Sequence, residues 1–133
     1  MHVREMIGSH PDVMGRTSDA LLACIEACYD CAQTCTSCAD ACLAEEMVGE
    51  LRQCIRLNLD CADICLATGA MASRRTGANE EVLAAVIEAC EMACRTCADE
   101  CESHAEMHEH CRVCAEACMR CADACAKALP QVH

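Results

Sequence analysis

The chain has 133 residues, a formal net charge of −12 and 54% apolar residues, enough for one hydrophobic core and too few for a second. Its acidity argues against nucleic acid and anionic membrane as partners, and no apolar run approaches the ~18 residues of a membrane span. Eighteen cysteines stand beside one tyrosine, no tryptophan and no phenylalanine. Aromatic rings normally supply much of the buried area of a small core, so something else fills this one.

Residues 1–16 carry His2, Arg4, Glu5, His10, Pro11 and Asp12, without the apolar run of an export signal. The expectation is a cytoplasmic protein, with this segment set apart from the rest and a short helix in it folding over one end. Glycine and proline are scarce after that and alanine is abundant, which predicts helix almost throughout. Helix A is expected over about 17–47, opened by the capping side chains of Thr17, Ser18 and Asp19. Helix B covers about 50–73. Arg74, Arg75 and Gly77 mark the clearest break. Helix C runs over about 79–103, with Asn79, Glu80 and Glu81 at its start. Helix D begins between 105 and 110 and stops before Pro130. Short connections make residues 17–129 an all-α, antiparallel up-down four-helix bundle.

The cysteines fall on these helices in a repeat. Helix A has Cys24, Cys28, Cys31, Cys35, Cys38 and Cys42, spaced 4-3-4-3-4. Helix B has Cys54, Cys61 and Cys65, with Asn58 where the pattern would put another. Helix C has Cys90, Cys94, Cys97 and Cys101, and helix D has Cys111, Cys114, Cys118, Cys121 and Cys125. Alternating steps of three and four mark the seam of a helical bundle, where leucine and isoleucine ordinarily sit. Each helix therefore turns a row of sulfur toward a shared axis. At ~1.5 Å per residue, Cys24 to Cys42 spans about 27 Å, a tube of thiols and not a single binding point.

Three readings compete for such a tube. Cysteine can act as a small buried hydrophobe, which accounts for a few positions but not for nearly every seam position of four helices. A disulfide framework is disfavoured because neighbouring side chains on one helix run parallel and a chain without an export signal stays in a reducing compartment. Metal is the reading that uses the whole stripe. Zinc and iron–sulfur sites usually gather cysteines from loops, and a uniform stripe does not divide into separate quartets. Cu(I) is soft, selects thiolates and accepts two or three of them. Bridging thiolates would carry on the order of one ion per cysteine, about 18 per chain. Ionising all eighteen thiols without a counterion would add eighteen negative charges to an already acidic chain, so they stay protonated near their ordinary pKa of ~8.5 until a cation arrives.

The two ends of the tube differ. Met47, Asn58, His104, Met107, His108 and His110 collect toward one end, and thioether and imidazole are also Cu(I) ligands. His104 fits the stripes of both helix C and helix D, which makes it the leading ligand there, and Asn58 offers a carbonyl oxygen. Leu21, Thr68, Ala72, Leu83, Ile87 and Leu129 close the other end. Copper is expected to enter and leave at the His/Met end.

With its CxxxC and CxxC stripes on four helices, the chain resembles the bacterial copper storage proteins over about 18–128. The resemblance implies Cu(I) as cargo, a homotetramer of bundles, and the signal-less cytosolic type whose mouth is rich in histidine. It extends to the eighteen cysteines and, after them, to Asn58 and the histidines. Leu22, Ile25, Tyr29, Ile55, Leu59 and Leu66 are candidates for a subunit interface. The function expected is storage and detoxification of copper, with a copper acceptor or chaperone as partner and no enzymatic activity, since no thiol is singled out as a nucleophile. The alternatives are a zinc or mixed soft-metal buffer of metallothionein type and an iron–sulfur electron-transfer protein.

Overall fold

Ser18 starts the first long helix by accepting a hydrogen bond on its hydroxyl from the Leu21 backbone N–H at 3.3 Å, which satisfies one of the donors that a helix start leaves free. The computed structural model describes residues 1–132. A short helix α1 (Val3–Gly8) precedes four long ones: α2 (Asp19–Leu43), α3 (Arg52–Ser73), α4 (Glu80–Glu102) and α5 (Glu109–Ala128). Single 3₁₀ turns lie at Val48–Leu51 and Leu129–Gln131. Glu80 and Glu81 place negative charge in the first turn of α4, where the helix dipole favours it.

α2 packs on α3 and α5, and α4 packs on α3 and α5, the square arrangement of an up-down bundle. Helix A ends earlier than its pattern suggested. The chain leaves helical geometry after Leu43, so Met47 lies in the α2–α3 connection. Ser103 to Met107 form turns between α4 and α5, so His104 sits in a loop and not on a helical stripe. Its backbone N–H bonds the Cys101 carbonyl at 3.0 Å.

Cohesion comes from sulfur and small side chains. All eighteen cysteines are buried and unbridged, and Ala32, Ala39, Ala62, Ala98, Ala115 and Ala122 are buried beside them. The α1 segment brings Ile7 and Val13 onto the apolar end, where Leu21, Leu83, Ile87 and Ala72 are also buried and Leu129 packs against them. Arg4 ties this segment to α2 through Glu26 at 2.8 Å and Asp19 at 3.4 Å, and His10 bonds Thr76 at 3.1 Å. Tyr29 lies against Gly69 on α3, where an added Cβ would stand 3.1 Å from its ring and push the ring aside by a few tenths of an ångström.

The candidate interface residues divide. Leu22 and Ile25 are buried within the chain's own core, because the stripe beside the sulfurs is wide enough to serve intramolecular packing. Leu59 and Leu66 remain exposed, and Tyr29 and Ile55 are half-buried. Among the described residues no helix is long and apolar enough to cross a membrane.

Candidate metal centre

The seam spacing places sulfurs from four helices at matching heights, and they meet across the axis. From the closed end, Cys24 lies 3.7 Å from Cys125, and Cys28 lies 3.9 Å from Cys90 and 3.8 Å from Cys121. Cys65 reaches Cys94 at 3.6 Å and Cys90 at 3.7 Å. Cys61 lies 3.6 Å from Cys94, and Cys31 lies 3.9 Å from Cys61 and 3.8 Å from Cys118. Cys35 then contacts Cys118 at 3.5 Å and Cys114 at 3.7 Å, and Cys54 meets Cys101 at 3.8 Å toward the other end. The column is continuous.

Four-sulfur groups do form, contrary to what a uniform stripe suggested. Cys28, Cys90, Cys121 and Cys125 lie mutually within 4.8 Å, as do Cys31, Cys35, Cys61 and Cys118, and Cys38, Cys42, Cys54 and Cys111. The first two are not separate sites, however. Cys31 and Cys121 also belong to a group with Cys65 and Cys94, and Cys35 and Cys118 to one with Cys97 and Cys114. With metal–thiolate bonds of about 2.3 Å, a trigonal set needs sulfurs ~4.0 Å apart and a linear pair ~4.6 Å. The column provides both within small side-chain motions.

Asn58 is fully buried where the α3 stripe lacks a cysteine. Its Oδ1 accepts hydrogen bonds from Cys97, Cys114 and Cys101 at 3.0, 3.2 and 3.4 Å, and its Nδ2 donates to Cys54 at 3.6 Å. An amide is therefore part of the column, with its oxygen turned to three sulfurs.

The end nearest Cys42 carries the histidines. His110 Nδ1 lies 3.4 Å from Cys38 Sγ and 3.6 Å from Cys111 Sγ. His108, the residue preceding α5, is buried and stacks on His110 with ring centroids 5.4 Å apart. His104, the leading ligand on sequence grounds, bonds Glu100 through Nε2 at 2.7 Å, a pairing of neighbours four residues apart that leaves its Nδ1 for another partner. Met47 is half-buried, and Met107 is 64% exposed with its thioether available to solvent. Sequence reasoning passed over Glu45, which lies 2.9 Å from both His108 and His110. Its proximity to Cys42 at the end of α2 was the available signal.

Electrostatics separate the rim from the interior. Burial is the main force pushing the Cys42 thiol up to about 11, and it pushes Cys111 up as well. Deeper thiols share protons. The hydrogen bond with Cys125 draws Cys24 down to about 5, while Cys125, hydrogen-bonded to Cys121 and Cys24, is pushed up. One sulfur of such a pair gives up its proton easily and the other keeps it. At the rim, the hydrogen bond from His110 holds the Glu45 carboxyl below its ordinary value.

Residues 17–130 match the model of the family described as copper storage protein, Csp. No curated protein matches the chain. Among solved structures, the fold superposes on the copper storage protein Ccsp from Streptomyces lividans loaded with 10 copper equivalents. That match has a TM-score of 0.92 and 51% identity and covers 96% of this chain and 98% of that one. A cytosolic copper storage protein from the same organism carrying five coppers matches at a TM-score of 0.83 and 55% identity, over 84% and 93% of the two chains. The metal-free copper storage protein 3 from Bacillus subtilis matches at 0.66 and 37% identity, over 80% and 96%.

Proposed function

Since the chain belongs to the copper storage protein family, we propose that it stores Cu(I) in the cytosol, with its eighteen core cysteines as ligands. The observation that carries this reading is the overlap of the four-sulfur groups. A sulfur shared between neighbouring groups is a bridging ligand, and bridging thiolates let ions occupy the column continuously. Charge supports copper over zinc. One Cu⁺ for each thiolate leaves the interior neutral, whereas a four-thiolate zinc site carries two net negative charges, costly in a sealed core. The four-sulfur groups nonetheless suit tetrahedral zinc in geometry, which makes a zinc buffer the second reading.

Copper enters and leaves at the His/Met rim. Met107 and Met47 offer thioethers at the surface, His104, His108 and His110 offer imidazoles, and Cys38, Cys42 and Cys111 receive the ion. Asn58 contributes its oxygen within the column. The far end is packed with Leu21, Leu83, Ile87, Ile7 and Val13, side chains that carry no donor atom for a cation. Among the described residues no side-chain arrangement supports catalysis, and the acidic surface does not suit nucleic acid or membrane. The related Streptomyces lividans protein is described as cytosolic, which supports the same location here. Exposed Leu59 and Leu66, with Tyr29 and Ile55, form the apolar surface for assembly into a homotetramer. A copper acceptor or chaperone would take the ion at the rim.

Anaerobic titration of the reduced protein with Cu(I) against a strong competing chelator tests the reading, with the metal-to-protein ratio measured at saturation. The expected ratio is on the order of 18. Saturation at a few equivalents, or displacement of bound Cu(I) by stoichiometric zinc, would sink it.

A further inference from the structure

One carboxylate oxygen at the rim touches two imidazoles. Glu45 Oε2 lies 2.9 Å from His108 Nδ1 and 2.9 Å from His110 Nε2, opposite positions on the two rings. We propose that Glu45 is a positioning residue that holds His108 and His110 in opposite tautomers, so that each presents a bare nitrogen to incoming Cu(I). This rests on the storage reading above.

An ionised carboxylate only accepts hydrogen bonds, so the ring nitrogen facing it carries the hydrogen. His108 is then protonated at Nδ1 and His110 at Nε2. The lone pairs fall on the remaining nitrogens, and their surroundings differ from those of ordinary surface histidines. His110 Nδ1 faces two sulfurs, Cys38 and Cys111. His108 Nε2 is buried and has no hydrogen-bond partner among the described residues, a costly condition for a polar atom that a soft cation would relieve.

The backbone fixes the carboxylate to the column. The Glu45 N–H bonds the carbonyl of Cys42, the last cysteine of α2, at 3.2 Å, and the two rings flank the start of α5, His108 as its N-cap and His110 in its first turn. A hydrogen bond from the far ring nitrogen commonly orients a metal-binding imidazole and raises its basicity. Here one side chain serves two rings from a different helix. Removing it would free each ring to exchange between tautomers, and some encounters would then present an N–H to the ion.

The test begins with the full-length, reduced, copper-free protein at pH 8, using two-bond ¹H–¹⁵N spectra of the histidine side chains. The expected result is Nδ1–H on His108 and Nε2–H on His110. Glu45→Ala should convert both signals to tautomer mixtures and slow uptake of the first Cu(I) equivalents about tenfold, while the final copper count stays at the wild-type value. Glu45→Gln presents the single acceptor oxygen that both rings use, so it should restore the tautomers and most of the rate. The same tautomer on both wild-type rings overturns the proposal. So does slowed uptake in Glu45→Ala with unchanged spectra, which would make Glu45 an attractant for cations and nothing more. If Glu45→Ala does not fold, the wild-type spectrum and Glu45→Gln decide. Failure of the storage reading would show separately, as low wild-type capacity with the tautomers intact.

Discussion

The Cys97 thiol donates to Asn58 Oδ1 at 3.0 Å, the shortest of three contacts that this oxygen receives from sulfur. An amide that answers four thiols stabilises the empty column in a way that a fourth α3 cysteine would not. Asn58→Leu keeps approximate volume and removes both the amide oxygen and the amide N–H. It leaves Cys97, Cys101 and Cys114 without their oxygen acceptor, and should cost the copper-free protein about 1–3 kcal/mol. Chemical denaturation under reducing conditions, with and without Cu(I), measures this. The loaded protein should lose less, because the thiols are then metal-bound.

Cys65 sits at a crossing of the column, within 4.0 Å of Cys61, Cys90, Cys94 and Cys121. Cys65→Ala should lower saturation by about one to two ions while leaving the helical circular dichroism unchanged. The metal-to-protein ratio of the variant, taken beside wild type, is the readout. A drop to near zero would mean that the ions fill one cooperative cluster and not a ladder.

Burial raises Cys42 to about 11 and also raises Cys111, and this gives loading a pH dependence of known sign. These rim thiols are protonated at neutral pH, so Cu(I) must displace a proton from each. Rim affinity should therefore strengthen roughly tenfold per pH unit for each proton displaced, continuing toward the raised pKa. Competition titrations at pH 6, 7 and 8, with proton release followed by indicator dye, check it. The sign for stability is the reverse. The contribution of a raised Cys42 to the copper-free fold is complete below about 9 and fades as pH climbs through about 11.

Ile7 and Val13 are buried at the closed end, far from the histidine rim. Deleting residues 1–16 exposes Leu21 and Leu22 and removes the packing of two apolar side chains, each worth roughly 1.5–3 kcal/mol. The shortened chain should melt at lower temperature and bind the same number of copper ions. Thermal unfolding and metal analysis of one preparation separate the two effects.

The helices and the inward rows of sulfur were legible in the sequence because the spacing of Cys24 through Cys42 carries its own geometry. Asn58 could be placed for the same reason, as an interruption of a period. The rim was less legible. His104 fits two stripes by counting, yet counting assumes that a helix continues, and the chain turns at Ser103. Its Nε2 pairs with Glu100, while His110 approaches the sulfurs. Glu45 offered only its nearness to Cys42, since its meeting with the two rings depends on how the α2–α3 connection folds back. Ile25 shows the opposite failure. It lies off the sulfur stripe and was grouped with exposed neighbours, but the bundle is narrow enough to bury it.

Each cysteine in the column is at most 2% exposed, and each stored Cu⁺ that takes the place of one thiol proton leaves the formal charge of −12 where it was. An empty molecule and a full one thus show the surrounding solution the same hull, with equal charge and equal faces. Any cellular component that must tell them apart has one place to look, the ring of histidine, methionine and glutamate where the column opens.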